Sequence, residues 1–178
     1  QFSNNHIADF LFQFLGGRAE FKKFAITQLQ FGSDHIEVLN GSGLSVLVNQ
    51  SKKYNLATCY SIIKTLYALL VVGDAQATPL RDLFPTAGQQ VSQEKPNTVS
   101  KYYITDFTDQ KLTAKTGTVN PAVGLAGQFN ENNDTHLFSI IYKTNDSDEW
   151  PLARQKILER LSEKFSSSMK SLEDFAQK

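Results

Sequence analysis

The sequence predicts an α+β fold: helices first, then an antiparallel three-strand meander, then a closing helix. Three observations predict it. Ile7, Phe10, Leu11, Phe14 and Leu15 open the chain at helical spacing. Three strand-like runs, residues 112–119, 123–130 and 136–143, are each bounded by turn residues. From Trp150 the helical pattern returns, with Leu152, Ile157, Leu158, Leu161 and Phe165 on one side and Arg154, Lys156, Glu159 and Arg160 on the other.

The elements follow in order. Ser3, Asn4 and Asn5 are good N-cap residues for the first helix, and Gly16-Gly17 stop it. A second helix is expected over 19–31, with Phe21, Phe24, Ala25 and Leu29 on its apolar face. His35 to Leu39 alternates like a short strand, and Asn40-Gly41-Ser42-Gly43-Leu44-Ser45 reads as a turn. A long helix is expected over 55–72, with Leu56, Cys59, Ile63, Leu66 and Leu70 inward and Cys59 buried. Thr78-Pro79 is an N-cap and N1 pair opening a short helix to about residue 84. Residues 89–100 read as a polar loop, and 130–134 as a hairpin loop. Beyond Ser166 the amphipathic pattern weakens and a frayed tail is expected.

Composition narrows the function. With 40% hydrophobic residues the chain can build a core, and 178 residues suit one domain. Lys plus Arg and Asp plus Glu both number 18, so no basic excess points to nucleic acid. One cysteine excludes an internal disulfide, and His6, His35 and His136 lack metal-ligand spacing. The chain opens on Gln1 almost directly against a helix, from which we expect that an N-terminal segment precedes it.

The most informative run is Lys115-Thr116-Gly117-Thr118, inside the first expected strand. A strand glycine marks close approach of another backbone or a ligand. At a sheet edge such a strand can pair with an extended peptide. Lys115 brings positive charge, Thr116 and Thr118 bring hydroxyls for a carboxylate, and Gly117 leaves room for docking.

Read together, five segments resemble the class C low-molecular-weight penicillin-binding proteins, serine D-alanyl-D-alanine carboxypeptidases/endopeptidases, over nearly the whole chain. They are Ser3-Asn4-Asn5 leading into an apolar helix, the Asn40–Ser45 turn, Leu83-Phe84-Pro85-Thr86-Ala87-Gly88, Ala114-Lys115-Thr116-Gly117-Thr118 and Gly124-Leu125-Ala126-Gly127. The chain is thus similar to the C-terminal part of a penicillin-recognising transpeptidase (β-lactamase-like) domain, an antiparallel sheet packed against helices, with residues 1–178 in that one domain. Departures are Asn40 where the family has Asp, a different run after Gly88, and a longer stretch over 46–54.

The resemblance implies cleavage of D-Ala-D-Ala and D-Ala–diaminopimelate bonds in peptidoglycan through a serine acyl-enzyme. It implies Ser3, Asn5 and Lys115 as catalytic residues and Thr116, Gly117 and Thr118 as substrate-binding residues, with the Thr118 N–H in an oxyanion hole. It implies peptidoglycan stem peptides as partners, β-lactams as covalent inhibitors, no cofactor, and a periplasmic or cell-wall location. The nucleophile belongs to a Ser-x-x-Lys box that precedes Ser-x-Asn in the family. The three matches here, Ser61–Lys64, Ser92–Lys95 and Ser167–Lys170, all come later, and Ser61 is expected well inside a helix. The nucleophile is therefore expected upstream of Gln1, and residues 1–178 alone are expected to be inactive. Two alternatives stand beside this reading: an inactive relative that binds wall peptides, and a β-lactamase on the same scaffold.

Overall fold

The computed structural model describes residues 4–32, 35–92, 95–119, 121–131 and 134–176. It divides into two compact units, Gln1–Leu83 and Phe84–Lys178.

The first unit is mostly helical. Helix α1 (Asn5–Phe14) is capped by Asn4, whose Oδ1 accepts the Ile7 N–H at 3.1 Å. The chain turns at Gly16 into α2 (Gly17–Thr27), shorter than the expected 19–31 and buried at Ala25. A two-residue strand β1 (Ile36–Glu37) follows.

The stretch over 46–54 is a hairpin of β2 (Val46–Val48) and β3 (Ser51–Lys53), turning through Asn49 and Gln50 at φ 49° and 62°. Two consecutive positive φ values give the turn the twist a two-residue hairpin needs.

Strand β4 (Leu56–Ala57) pairs with β1, so the long helix α3 (Cys59–Ala75) starts later than expected. Thr58 and Ser61 form its capping box. This late start corrects two expectations. Leu56 falls in β4 and is exposed, and Cys59, the first residue of α3, is exposed because the buried side of that helix is set by Ser61, Leu66 and Gly73. Helix α4 (Leu80–Leu83) follows Thr78-Pro79 as expected.

The second unit holds the sheet. The run expected as a loop contains a small hairpin, β5 (Gln90–Ser92) with β6 (Lys95–Pro96), and the start of helix α5 (Thr98–Tyr103). Asn97 and Ser100 in this run are internal ties rather than solvated residues. Asn97 Oδ1 caps α5 through the Ser100 N–H at 2.7 Å, while its Nδ2 donates to the carbonyls of Thr86 (2.9 Å) and Gln89 (2.7 Å).

The meander is β7 (Leu112–Val119), β8 (Ala122–Glu131) and β9 (Asp134–Lys143), in the order β7-β8-β9. A short 3₁₀ turn (Ser147–Glu149) leads into α6 (Trp150–Ala176). Ala153, Ile157, Leu161 and Phe165 recur every four residues on α6 and are buried with Val123, Leu125 and Phe129. Phe129 stacks on Phe107 (4.9 Å) and on Phe165 (4.5 Å). Ala153 takes the inward place expected for Leu152, which is 52% exposed. Burying these side chains at about 25 cal/mol per Å² of apolar surface is what holds the helix to the sheet.

Candidate active site

The Lys-Thr-Gly-Thr run lies in β7, at the end of the sheet order and so at its edge. Part of that edge is covered. Ala87 N–H donates to Leu112 O at 2.8 Å, and Ala114 N–H to Pro85 O at 3.0 Å. Backbone groups of a strand face alternate sides, so the even residues of β7 face outward. After Ala114 the next outward pair is Thr116 and Thr118, and no strand among the described residues covers them. The N–H of Thr118 therefore lies on an open edge, where an oxyanion hole needs a donor.

The side chains divide differently. Leu112 and Ala114 share one face of β7 with Thr116 and Thr118, opposite Phe129, Gly127, Leu125 and Val123 in β8. One row thus runs from buried Leu112 and Ala114 to the half-buried threonines, turning from apolar to hydroxylic as it leaves the core. Thr116 Oγ1 meets Thr98 Oγ1, at the start of α5, at 3.3 Å.

Lys115 and Gly117 point to the other face, opposite Ala126 and Gly124. The Lys115 ammonium reaches the edge and donates to Thr116 O at 2.7 Å. Lys115 is exposed as a residue, yet desolvation around its ammonium lowers its pKa below the ordinary lysine value. A depressed lysine gives up its proton more readily, as a proton shuttle requires.

The two strand glycines differ. A side chain at Gly127 would overlap Thr113 O and Ala114 Cα, so this glycine lets β7 and β8 approach. A side chain at Gly117 would meet nothing within 4 Å. The fold does not need glycine at 117, so the open space beside it is available to a ligand.

Asn5 is the first residue of α1, in the other unit, and is exposed. Ser3 lies outside the described residues. The turn at 40–45 grips α1 within that unit. Ser42 N–H donates to Asp9 Oδ1 at 2.7 Å, and Gly41 packs so closely that a side chain there would overlap Ala8 O. Asn40 does what an aspartate could, accepting the Gly43 N–H at 2.9 Å. It adds a donor bond from Nδ2 to Leu44 O at 2.7 Å, so the change from Asp keeps the turn.

Ser61 is not inside α3 as expected but at its third residue. It is 0% exposed and its hydroxyl is engaged by His35 O (3.0 Å) and Thr58 O (2.8 Å). Lys64 turns away, with Nζ 3.5 Å from Gln30 O and over the Phe31 and Tyr60 rings. That pair is a cap rather than a nucleophile with its base. Ser92 and Lys95 fall on the two strands of the β5–β6 hairpin, where no helix links them.

Sequence reasoning missed Arg154, which reaches the candidate site from α6. Its Nη2 is 3.5 Å from Thr118 Oγ1, and its guanidinium carbon lies 3.9 Å above the Tyr102 ring. It sits in sequence among the wet-side charges of α6, and no local pattern distinguished it from them.

Solved structures carry the same fold. A penicillin G-acylated predatory endopeptidase of Bdellovibrio bacteriovorus, Bd3459, in complex with an immunity protein, is 32% identical with a TM-score of 0.83; the match covers 93% of this chain and 43% of that one. A second predatory endopeptidase of that organism, Bd0816, also in complex with an immunity protein, gives 32% and 0.83 over 92% of this chain and 40% of its own. Penicillin binding protein 4 of Haemophilus influenzae gives 22% and 0.63 over 89% of this chain and 38% of its own, which supports the fold alone. The chain thus spans about two fifths of these proteins. No curated protein matches it. The D-Ala-D-Ala carboxypeptidase 3 (S13) family model matches residues 1–164, and the chain belongs to that family.

Proposed function

We propose that the protein containing this chain is a serine D,D-peptidase of peptidoglycan, cleaving D-Ala-D-Ala and D-Ala–diaminopimelate bonds. The observation that carries the reading is the open stretch of β7. Thr116 and Thr118 offer backbone groups to an incoming strand, beside a desolvated lysine and above an unfilled space at Gly117. Family membership and the penicillin-acylated endopeptidase at 32% identity support it.

In this reading a serine from a Ser-x-x-Lys box upstream of Gln1 attacks the D-Ala carbonyl carbon. The Thr118 N–H stabilises the oxyanion. The C–N bond breaks, and the leaving amine takes a proton relayed by Ser3 and Lys115. Asn5 orients the acyl-side peptide. Thr116 and Thr118 hold the leaving residue's carboxylate. Water then cleaves the ester and restores the serine. No metal enters. Stem peptides are the substrates, β-lactams are covalent inhibitors, and the location is periplasmic or wall-associated.

The test is fluorescent penicillin with the full-length gene product, followed by mass spectrometry of the labelled peptide. A stable adduct on a serine upstream of Gln1, with D-Ala release from a stem peptide, is expected. Residues 1–178 alone are expected to take no label. Intact protein that stays unlabelled and hydrolyses no stem peptide would leave only wall-peptide binding. Rapid turnover of a chromogenic cephalosporin would favour a β-lactamase.

A further inference from the structure

We infer that Arg154, set over the Tyr102 ring, is the cation that reads the free carboxylate of the leaving residue, so that substrates with that carboxylate amidated are rejected. The inference rests on the peptidase reading and deepens it.

Strand alternation sets the problem. Thr116 and Thr118 put their hydroxyls on one face of β7 and Lys115 leaves from the other. The Lys115 ammonium is engaged at the edge with Thr116 O. The strand therefore supplies hydroxyls for a carboxylate without supplying a charge on their face. Arg154 supplies that charge from α6, at the Thr118 end of the row.

Its surroundings keep the charge available. No carboxylate pairs with Arg154 among the described residues. The Thr118 hydroxyl and the buried Tyr103 phenol lie beside it. Burial pushes that phenol up to about 12 against the opposing pull of Arg154, so it stays neutral at working pH. Arg154 is half-buried, where a charge interaction is screened less than on an open surface.

The Tyr102 ring, 3.9 Å from the guanidinium carbon, restricts where the side chain can go, and a guanidinium fork can give two parallel bonds to a carboxylate. Tyr102 lies one turn after Thr98 on α5, and Thr98 bonds Thr116. One short helix thus supplies both the platform for the guanidinium and a third hydroxyl. Lys101, 5.0 Å from the Tyr102 ring, adds positive field. Three hydroxyls and one arginine form a receptor for a planar anion. The substrate class that follows is a D,D-peptide whose leaving residue keeps its α-carboxylate, whether a terminal D-Ala or the amine-side residue of a crosslink.

The test uses the full-length protein with two peptides that differ only at the C-terminus, D-Ala-D-Ala acid and D-Ala-D-Ala amide. Wild type is expected to prefer the acid in kcat/KM by about 100-fold or more, as a site built for a polar group rejects its absence. Arg154→Gln is expected to lose most of that preference through the acid, with an unchanged Tm as the control for folding. Arg154→Lys, which keeps charge without the fork, should fall between them. An unchanged acid-to-amide ratio in Arg154→Gln overturns the inference. Should wild type cleave neither peptide and take no penicillin, the peptidase reading falls. Binding of the two peptides, followed by NMR, then decides Arg154 separately. Acid-selective binding lost in Arg154→Gln sustains the receptor, and equal binding of acid and amide overturns it.

Discussion

Asp9 Oδ1 accepts the backbone N–H of Ser42 at 2.7 Å, tying helix α1 to the Asn40–Ser45 turn. Ala8 and Gly41 close the same junction, with no room for a methyl group between them. The turn thereby holds α1, the helix whose first residue is Asn5. Gly41→Ala forces the two apart and should cost about 1–3 kcal/mol. Asp9→Ala should cost less, and each should slow penicillin acylation more than it lowers Tm. Unchanged acylation in a destabilised Gly41→Ala protein would separate this junction from the chemistry.

The glycines of β7 and β8 should respond in opposite ways. Gly127→Ala overlaps the neighbouring backbone and should destabilise by about 3 kcal/mol or fail to fold. Gly117→Ala meets no protein atom, so its Tm should shift little, yet peptide cleavage should drop at least about 10-fold because the methyl occupies the docking space. Full activity in Gly117→Ala would show that no ligand approaches that face.

Lys115 makes a pH prediction. Desolvation lowers its pKa, so the ammonium is lost at a pH below the ordinary lysine value of 10.5. If the ammonium assists acylation, the rate falls as pH rises through that lowered value. For stability the sign is the reverse. The folded state holds this proton less tightly than the unfolded chain, so the penalty on the charged form is relieved as pH climbs toward 10.5. Lys115→Arg stays charged and should move the basic limb upward at a reduced overall rate. A basic limb that stays in place in Lys115→Arg would assign it to another group.

Ser61→Ala distinguishes a cap from a nucleophile. It removes the capping box of α3 and leaves the His35 and Thr58 carbonyls without the Ser61 hydroxyl. The expected cost is about 1–3 kcal/mol, read as a Tm drop of several degrees. Penicillin labelling of the full-length protein should survive. Abolished labelling in a folded Ser61→Ala protein would reverse the assignment.

The sheet was legible because β7 to β9 carry both strand-type residues and turn signals, and the observed bounds differ from the expected ones by two residues at most. The candidate substrate strand was legible for the same reason, since Gly117 interrupts an otherwise strong strand. The hairpin over 46–53 was hidden because Gln50 rarely takes a positive φ. The α5 region was hidden because Asn97 looks like a loop residue and acts as a three-way tie. Cys59 misled because the start of α3 depends on Thr58 pairing with Ser61, and a shift of four residues turns a helix face by about a ninth of a revolution past a full turn while removing its first turn altogether. Arg154 is separated from Thr118 by 36 residues, and only the packing of α6 on the sheet joins them.

Pro85 and Ala87 cover the outer side of β7 as far as Ala114, leaving Thr116 and Thr118 as the uncovered outward residues. A bare strand margin is normally a hazard, since it invites the same margin of another molecule and seeds fibrils. Here it is cut to about two residues' worth of hydrogen bonds, too little to template an intermolecular sheet. A short extended peptide with a charged end can still dock there, so truncation of the margin reconciles reactivity toward strands with resistance to self-association.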